Sequence, residues 1–225
     1  MAVPTGSITT LANAKAELNI PTATTTDDTY IERLIGAMTQ FAETFCRRRF
    51  YYDAAITEYV AGFGTAYLQL ARPPITSITS VTLDGSTISS SNYSVNGLLN
   101  SGLIYSEVGW ANTGLVGSGI TKNHTPGTEQ KLYTVVYKGG WVTPTQDGTG
   151  SPVLTRDLPY DLEDAVIQLV AYRYRQRGRD QSIMSESLLN ASVSYKQPFV
   201  TAETLKTLLP NVYDILRGYT LEPIL

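Results

Sequence analysis

The residues that could do chemistry are few and far apart. The single histidine, His124, stands in Lys122-Asn123-His124-Thr125-Pro126-Gly127, a loop-like string. Nucleophilic catalysis needs a serine, threonine or cysteine with a base beside it, and a solvated loop imidazole offers neither partner nor orientation. The single cysteine, Cys46, precedes Arg47-Arg48-Arg49, whose charge could lower a thiol pKa, but it also falls on an apolar helical face near Phe45, where a buried structural thiol fits better. One cysteine makes neither an internal disulfide nor a cysteine-based metal cluster. Asp161, Glu163 and Asp164 could bind a metal or share acid and base roles, yet three carboxylates in a first helical turn are explained by the helix dipole. Gly114-Leu115-Val116-Gly117-Ser118-Gly119 lacks the Lys-Ser/Thr and the opening helix of a phosphate cradle. The expectation is a protein without a catalytic centre, metal or cofactor.

Two basic clusters are more informative. Arg47-Arg48-Arg49 closes one helical pattern, and Arg173, Arg175, Arg177 and Arg179 alternate with Tyr172, Tyr174, Gln176 and Gly178 at the end of another. Cations at a helix C-terminus interact well with the dipole, and their stems cover apolar neighbours. Arginine geometry also suits DNA phosphate or an acidic partner. At 100° per residue Arg173 and Arg177 continue the Val166 to Val170 stripe, as a contact between subunits would.

The elements that carry these residues are legible from periodicity. Thr10 can cap a short helix over Leu11 to Leu18, which Pro21 stops. Thr29-Tyr30-Ile31-Glu32 matches a capping box, and Ile31, Leu34, Ile35, Met38, Phe41, Ala42 and Phe45 follow at helical spacing, predicting a long helix over roughly 28–48. Pro159 starts a third helix with the stripe Leu162, Ala165, Val166, Leu169 and Val170 and a stop at Gly178. Ala202–Leu209 and Pro210–Arg217 read as two short helices.

Between the helical flanks the composition changes. Residues 54–155 hold 9 of the 37 charged residues but 14 of the 18 glycines. Strand signals run through Tyr67–Leu70, Ile75–Leu83, Ser86–Ile88, Tyr93–Val95, Leu103–Tyr105 and Leu132–Tyr137, with Asp84-Gly85 as a hairpin turn and a long loop over 111–130. This segment carries Tyr59, Tyr67, Tyr93, Tyr105, Tyr133, Tyr137, Trp110 and Trp141 and little charge, the composition of an interface core, a sugar-binding surface or an aromatic sheet core. The fold class expected is α+β: a helical bundle core, built on the long N-terminal helix and the later arginine-bearing helix, with a β-rich insertion and a C-terminal arm. The divisions are an N-terminal helical hairpin (1–53), the β-rich insertion (54–155), the bundle helix with its following loop (156–191) and the arm (192–225). The end of the arm, Tyr219-Thr220-Leu221-Glu222-Pro223-Ile224-Leu225, is too apolar to stay free in water.

At 225 residues, 42% hydrophobic and 16% charged, the chain can fill a core and is not intrinsically disordered. A formal charge of −3 opposes a nucleic-acid grip by bulk field. No apolar run reaches membrane length, and Met1-Ala2-Val3-Pro4 has no signal-peptide pattern, so an unprocessed chain made in the cytoplasm is expected.

The order of several soft motifs resembles the head-tail connector, or adaptor, proteins of tailed bacteriophages. They are Ile8 through Leu18, Asp27-Asp28 before Tyr30 to Ile35, Arg47-Arg48-Arg49-Phe50, Leu70-Ala71-Arg72-Pro73-Pro74-Ile75 with Ile78 to Val81, Val136 to Trp141, Leu158 to Leu162, Ser192 to Tyr195, and Leu208-Leu209-Pro210 before Tyr219. The resemblance implies a structural virion protein, not an enzyme: a homo-oligomeric ring, twelvefold in that family, assembled in the host bacterial cytoplasm. The ring would bind the portal protein and offer a docking surface to the tail, stopper or head completion protein. It also implies a C-terminal arm reaching the portal, here Tyr219, Leu221, Ile224 and Leu225. The arginines Arg47, Arg48, Arg49, Arg173, Arg175, Arg177 and Arg179 would lie near a subunit boundary or the DNA channel, touching packaged DNA passively, and no membrane is involved. The alternative from another class is a carbohydrate-binding module of a phage tail using Trp110, Trp141 and the tyrosines.

Overall fold

A computed structural model describes residues 3–83, 85–95, 101–113, 132–177, 185–188, 191–194 and 201–221. The chain divides into two units, one from Met1–Tyr51 with Val142–Thr220 and one over Tyr52–Trp141. The architecture is α+β, as expected: five α-helices and antiparallel sheets among the described residues.

In the helical unit, α1 (Leu11–Glu17) starts at Thr10, whose hydroxyl accepts the Asn13 N–H at 3.3 Å, satisfying one of the donors a helix start leaves open. Helix α2 (Asp28–Cys46) buries Ile31, Leu34, Ile35, Met38 and Ala42 of the stripe its periodicity predicts, together with Cys46, while Phe41 and Phe45 are half-buried. The Thr29 to Glu32 capping box does not form. Asp27 occupies the cap position instead, and its carboxylate is drawn away from the helix to Tyr174 and Arg177. Helix α3 (Tyr160–Arg175) buries Leu162, Ala165, Val166, Leu169 and Val170 and ends at Gln176, ahead of the expected stop at Gly178, which lies outside the described residues. Pro159 is the residue before the helix rather than its first, with ψ 136°. Helices α4 (Ala202–Leu208) and α5 (Pro210–Gly218) follow, and α5 buries Val212 and Leu216 while packing on α2 and α3.

The turn-rich stretch 142–158 belongs with these helices. The Asp157 carboxylate accepts the Val142 N–H at 2.6 Å, and Thr145 accepts from the Gly6 N–H and donates to the Ser7 carbonyl, both at 3.1 Å. One buried carboxylate joins the stretches: Glu163 accepts from Thr9 Oγ1 at 3.0 Å and Asn13 Nδ2 at 2.7 Å and pairs with Arg156 at 2.6 Å. A second polar tie is Lys15, buried at the α1 surface, whose ammonium donates to the carbonyls of Thr22 and Thr24 and to Asp28 Oδ1.

The β unit contains β1 (Asp53–Val60), β2 (Tyr67–Gln69), β3 (Ile75–Leu83), β4 (Ser86–Thr87), β5 (Ser94–Val95), β6 (Leu103–Tyr105) and β7 (Tyr133–Gly139). They form a four-stranded sheet, β1-β7-β3-β4, and a three-stranded one, β2-β6-β5. Their core is Ile56, Leu68, Leu70, Val81, Ile104, Trp110, Tyr133, Val135 and Tyr137. The Lys138-Gly139-Gly140-Trp141 string has a steric reason: a Cβ on Gly139 would lie 2.5 Å from the Arg72 carbonyl oxygen, and Gly140 has φ +89°. Two further strands, β8 (Ser185–Leu188) and β9 (Ala191–Ser194), pair only with each other among the described residues.

Removing the Glu163 carboxylate would strand Arg156 and two polar side chains. Glu163→Ala is expected to lower unfolding free energy in urea by about 3 kcal/mol, with Glu163→Gln, which keeps an acceptor, costing less. Equal and negligible losses would mean that the carboxylate holds nothing together.

Candidate functional site

The arginines do not form one patch. At the end of α2, Arg47 takes a left-handed conformation, φ 56°, which reverses the chain and sends three neighbouring arginines in different directions. Arg47 is exposed. Arg48 turns inward, buried over the Phe50 ring at 5.4 Å, and burial pulls its guanidinium pKa down to about 10. Arg49 pairs with Glu43 at 3.2 Å, and the same glutamate accepts the Phe50 N–H.

The end of α3 is tied down by acids from other helices. Arg177 pairs with Asp27 and lies 4.8 Å over the Tyr30 ring, which Arg33 also approaches at 5.2 Å. The Tyr174 hydroxyl donates to Asp27 at 2.5 Å, and this bond, followed by Arg177, holds the aspartate below its ordinary carboxylate pKa. Arg175 approaches Glu17 of α1 at 3.5 Å. Arg173 is half-buried and Arg179 lies outside the described residues. Within this chain, then, Arg177, the outer member of the charged continuation of the Val166 to Val170 stripe, meets Asp27 and Tyr30. The sequence signal was present in Asp27-Asp28: two adjacent acids ahead of α2, of which Asp27 meets Tyr174 and Arg177 and Asp28 meets Lys15.

The carboxylates at the start of α3 serve separate purposes. Asp161 accepts the Tyr219 hydroxyl at 2.8 Å, Glu163 is the buried junction, and Asp164 accepts from Gln168 at 2.7 Å. Among the described residues no group of three or more histidine, cysteine or acidic side chains could hold a metal ion. Cys46 is buried, donates to the Leu216 carbonyl at 3.2 Å, and has its thiol pKa pushed up to about 12 by desolvation, against the opposing charge of Arg48. His124 and the glycine run 114–119 lie outside the described residues.

Of the arm residues, Tyr219 is engaged in the helical unit: its ring meets Phe50 edge-on at 6.4 Å in addition to the Asp161 bond. Leu221 is half-buried, and Ile224 and Leu225 lie outside the described residues.

The aromatics of the β unit separate into two sets. Trp110 is buried, donates from Nε1 to the Ile104 carbonyl and meets Tyr133 edge-on at 5.2 Å, and Trp141 is buried as well. A sugar-binding platform needs open indole faces, and these two have none to offer. The exposed set is Tyr59 at 67%, Tyr67 at 44% and Tyr105 at 37%, the last two facing each other across β2 and β6 with ring centroids 5.5 Å apart. No helix among the described residues is long and apolar enough to cross a membrane.

This fold has known counterparts. Over its whole length the chain superposes on a chain in the neck of an empty GTA particle computed with C6 symmetry, at 13% identity and TM-score 0.56, with 95% of that chain covered. It likewise superposes on a chain in the virion of a native gene transfer agent (GTA) particle, at 14% identity and TM-score 0.52, again with 95% covered. At such identities the likeness is one of fold. None of the curated proteins matches the sequence. Fold and sequence each find a counterpart, the fold in chains of GTA particles and the N-terminal part of the sequence in a family model. Residues 8–100 are similar to the Phage gp6-like head-tail connector protein family, which sustains the resemblance for the motifs from Ile8 to Val81; the motifs from Val136 onward lie beyond the matched residues.

Two outcomes test this geometry. The Cys46 thiol should resist an aromatic disulfide reagent at pH 8 in the native protein and react fully in denaturant; its stabilising contribution is complete below the unfolded value of 9.0 and is lost as pH rises towards about 12. Rapid native labelling would refute the buried assignment. Arg177→Glu should lower the thermal midpoint by a few degrees, an effect that vanishes as acid protonates Asp27 well below pH 4, because a depressed carboxylate stabilises only while ionised. An unchanged midpoint at pH 7 would show that the Asp27 pair contributes nothing.

Proposed function

We propose that the chain works as a ring-forming connector, binding the portal vertex on one side and presenting a surface to the tail or stopper component on the other. The observation that carries this reading is that the family match over residues 8–100 and a full-length likeness to neck chains fall on one fold, helices and β unit together. The work is geometric rather than catalytic. The placed carboxylates and the thiol are held in structural bonds, and the exposed tyrosines sit in a charge-poor unit of the kind that partner surfaces use.

A ring of twelve copies belongs to this proposal, and the C6 symmetry of the similar neck is compatible with that number. Heterologous contacts repeated around a closed ring make a weak single interface sufficient. DNA contact, as part of the proposal, is passive and sequence-independent, through exposed guanidinium groups such as Arg47, against an overall charge of −3. The arm contribution rests on the segment beyond Tyr219, since Tyr219 itself is engaged at home.

Native mass spectrometry and negative-stain microscopy of the protein, alone and mixed with the portal protein of the same particle, test the reading. A closed ring seated on the portal is the expected outcome. A monomer that ignores the portal would overturn it.

A further inference from the structure

The four-stranded sheet ends at β1, and among the described residues no strand lies on its outer side. Proteins usually blunt such an edge with short length, lysine, proline or outward charge. This one has eight residues, Asp53 to Val60, with neither proline nor lysine. Beyond Asp53 its only charge is Glu58, whose carboxylate is turned to its own unit, accepting the Tyr137 hydroxyl at 2.7 Å and the Ala71 N–H at 3.1 Å. The bulge between Asp53 and Ile56 leaves a regular stretch over 56–60, with Thr57 and Tyr59 exposed. Among the described residues its outer backbone groups form an intact template for another strand.

The same chain carries a strand pair that is incomplete in the opposite sense. β8 and β9 form a two-stranded sheet with pairing from Ser185↔Ser194 to Leu188↔Ala191. Two strands of four residues are marginal in water without a third strand or a packed face. β9, Ala-Ser-Val-Ser, has no charge, whereas β8 contains Glu186, so β9 is the edge that brings no charge against the two acids of β1.

We propose that β9 of one copy pairs with the outer edge of β1 of a second copy, extending the sheet to β8-β9-β1-β7-β3-β4 across two molecules. Backbone hydrogen bonds supply the contact and need no charged steering. Donor and acceptor are different surfaces of one chain, so the contact is heterologous: each copy gives a hairpin and receives one, and the series closes into a ring or runs on as a filament. Closure rests on the connector reading; the strand pairing does not.

The test uses the full-length chain with Thr57→Cys and Ser192→Cys together, and a second version with Tyr59→Cys in place of Thr57→Cys to cover register. Mild oxidation of the assembled protein should give a ladder of linked chains on a non-reducing denaturing gel. Mixing the two single variants should give dimers and nothing larger, and the buried Cys46 keeps the background silent. Bonds closed within one chain, or no bond in either version, would overturn the pairing. If native mass spectrometry still shows a ring in that case, the connector reading survives while this interface falls. If crosslinked filaments form but never a closed ring, the interface survives and the connector reading falls.

Discussion

The helical unit depends on one constraint: the stretch Met1–Tyr51 and the stretch from Val142 onward must be held together although a complete β unit intervenes. Apolar stripes on α1, α2, α3 and α5 supply the area, but stripes alone tolerate sliding and rotation. The Glu163 carboxylate fixes position, because Thr9, Asn13 and Arg156 converge on it from two directions and it is buried enough that a lost partner would not be replaced by water. Asp161 with Tyr219 repeats the device for the C-terminal helix, and Asp27 with Tyr174 and Arg177 repeats it at the other end of α3. Helix α3 is thus pinned at both ends by polar contacts and held along its length by apolar ones.

Local features were readable where local physics sets them. The Thr10 cap, the α2 stripe and the strand pattern of Ile75–Leu83 follow from spacing within a few residues. β1 escaped because Asp53-Ala54-Ala55-Ile56-Thr57-Glu58 alternates poorly and opens with a bulge; its strand state comes from pairing with β7 some eighty residues away. The β8–β9 hairpin escaped for a similar reason, being short and rich in serine. Residues 142–155 look like more of the glycine-rich insertion by composition, and only bonds such as Thr145 to Gly6 and Ser7 attach them to the helices.

The arginines show the same limit at the level of function. Periodicity continues the stripe to Arg173 and Arg177, of which the first is half-buried and the second exposed beyond the end of α3, and it cannot say whether an acid met there lies in the same chain or the next. Asp27 answers for Arg177, and Glu17 for Arg175. Likewise, aromatic enrichment cannot distinguish a platform from a core. Trp110 and Trp141 are core, while Tyr59, Tyr67 and Tyr105 remain on the surface.

These placements bear on how a connector could deal with DNA. A channel that must pass a duplex gains from each free guanidinium group a phosphate contact whose affinity depends on salt. Here Arg49, Arg175 and Arg177 already face Glu43, Glu17 and Asp27, and Arg48 is turned into the core, so of the residues that look most like a DNA grip these four carry little outward field and Arg47 stays exposed. The open β1 edge offers instead a contact made of backbone groups, indifferent to charge and salt. In the proposed ring, cohesion between copies and passage of DNA would then draw on different interactions, and strengthening one would not impede the other.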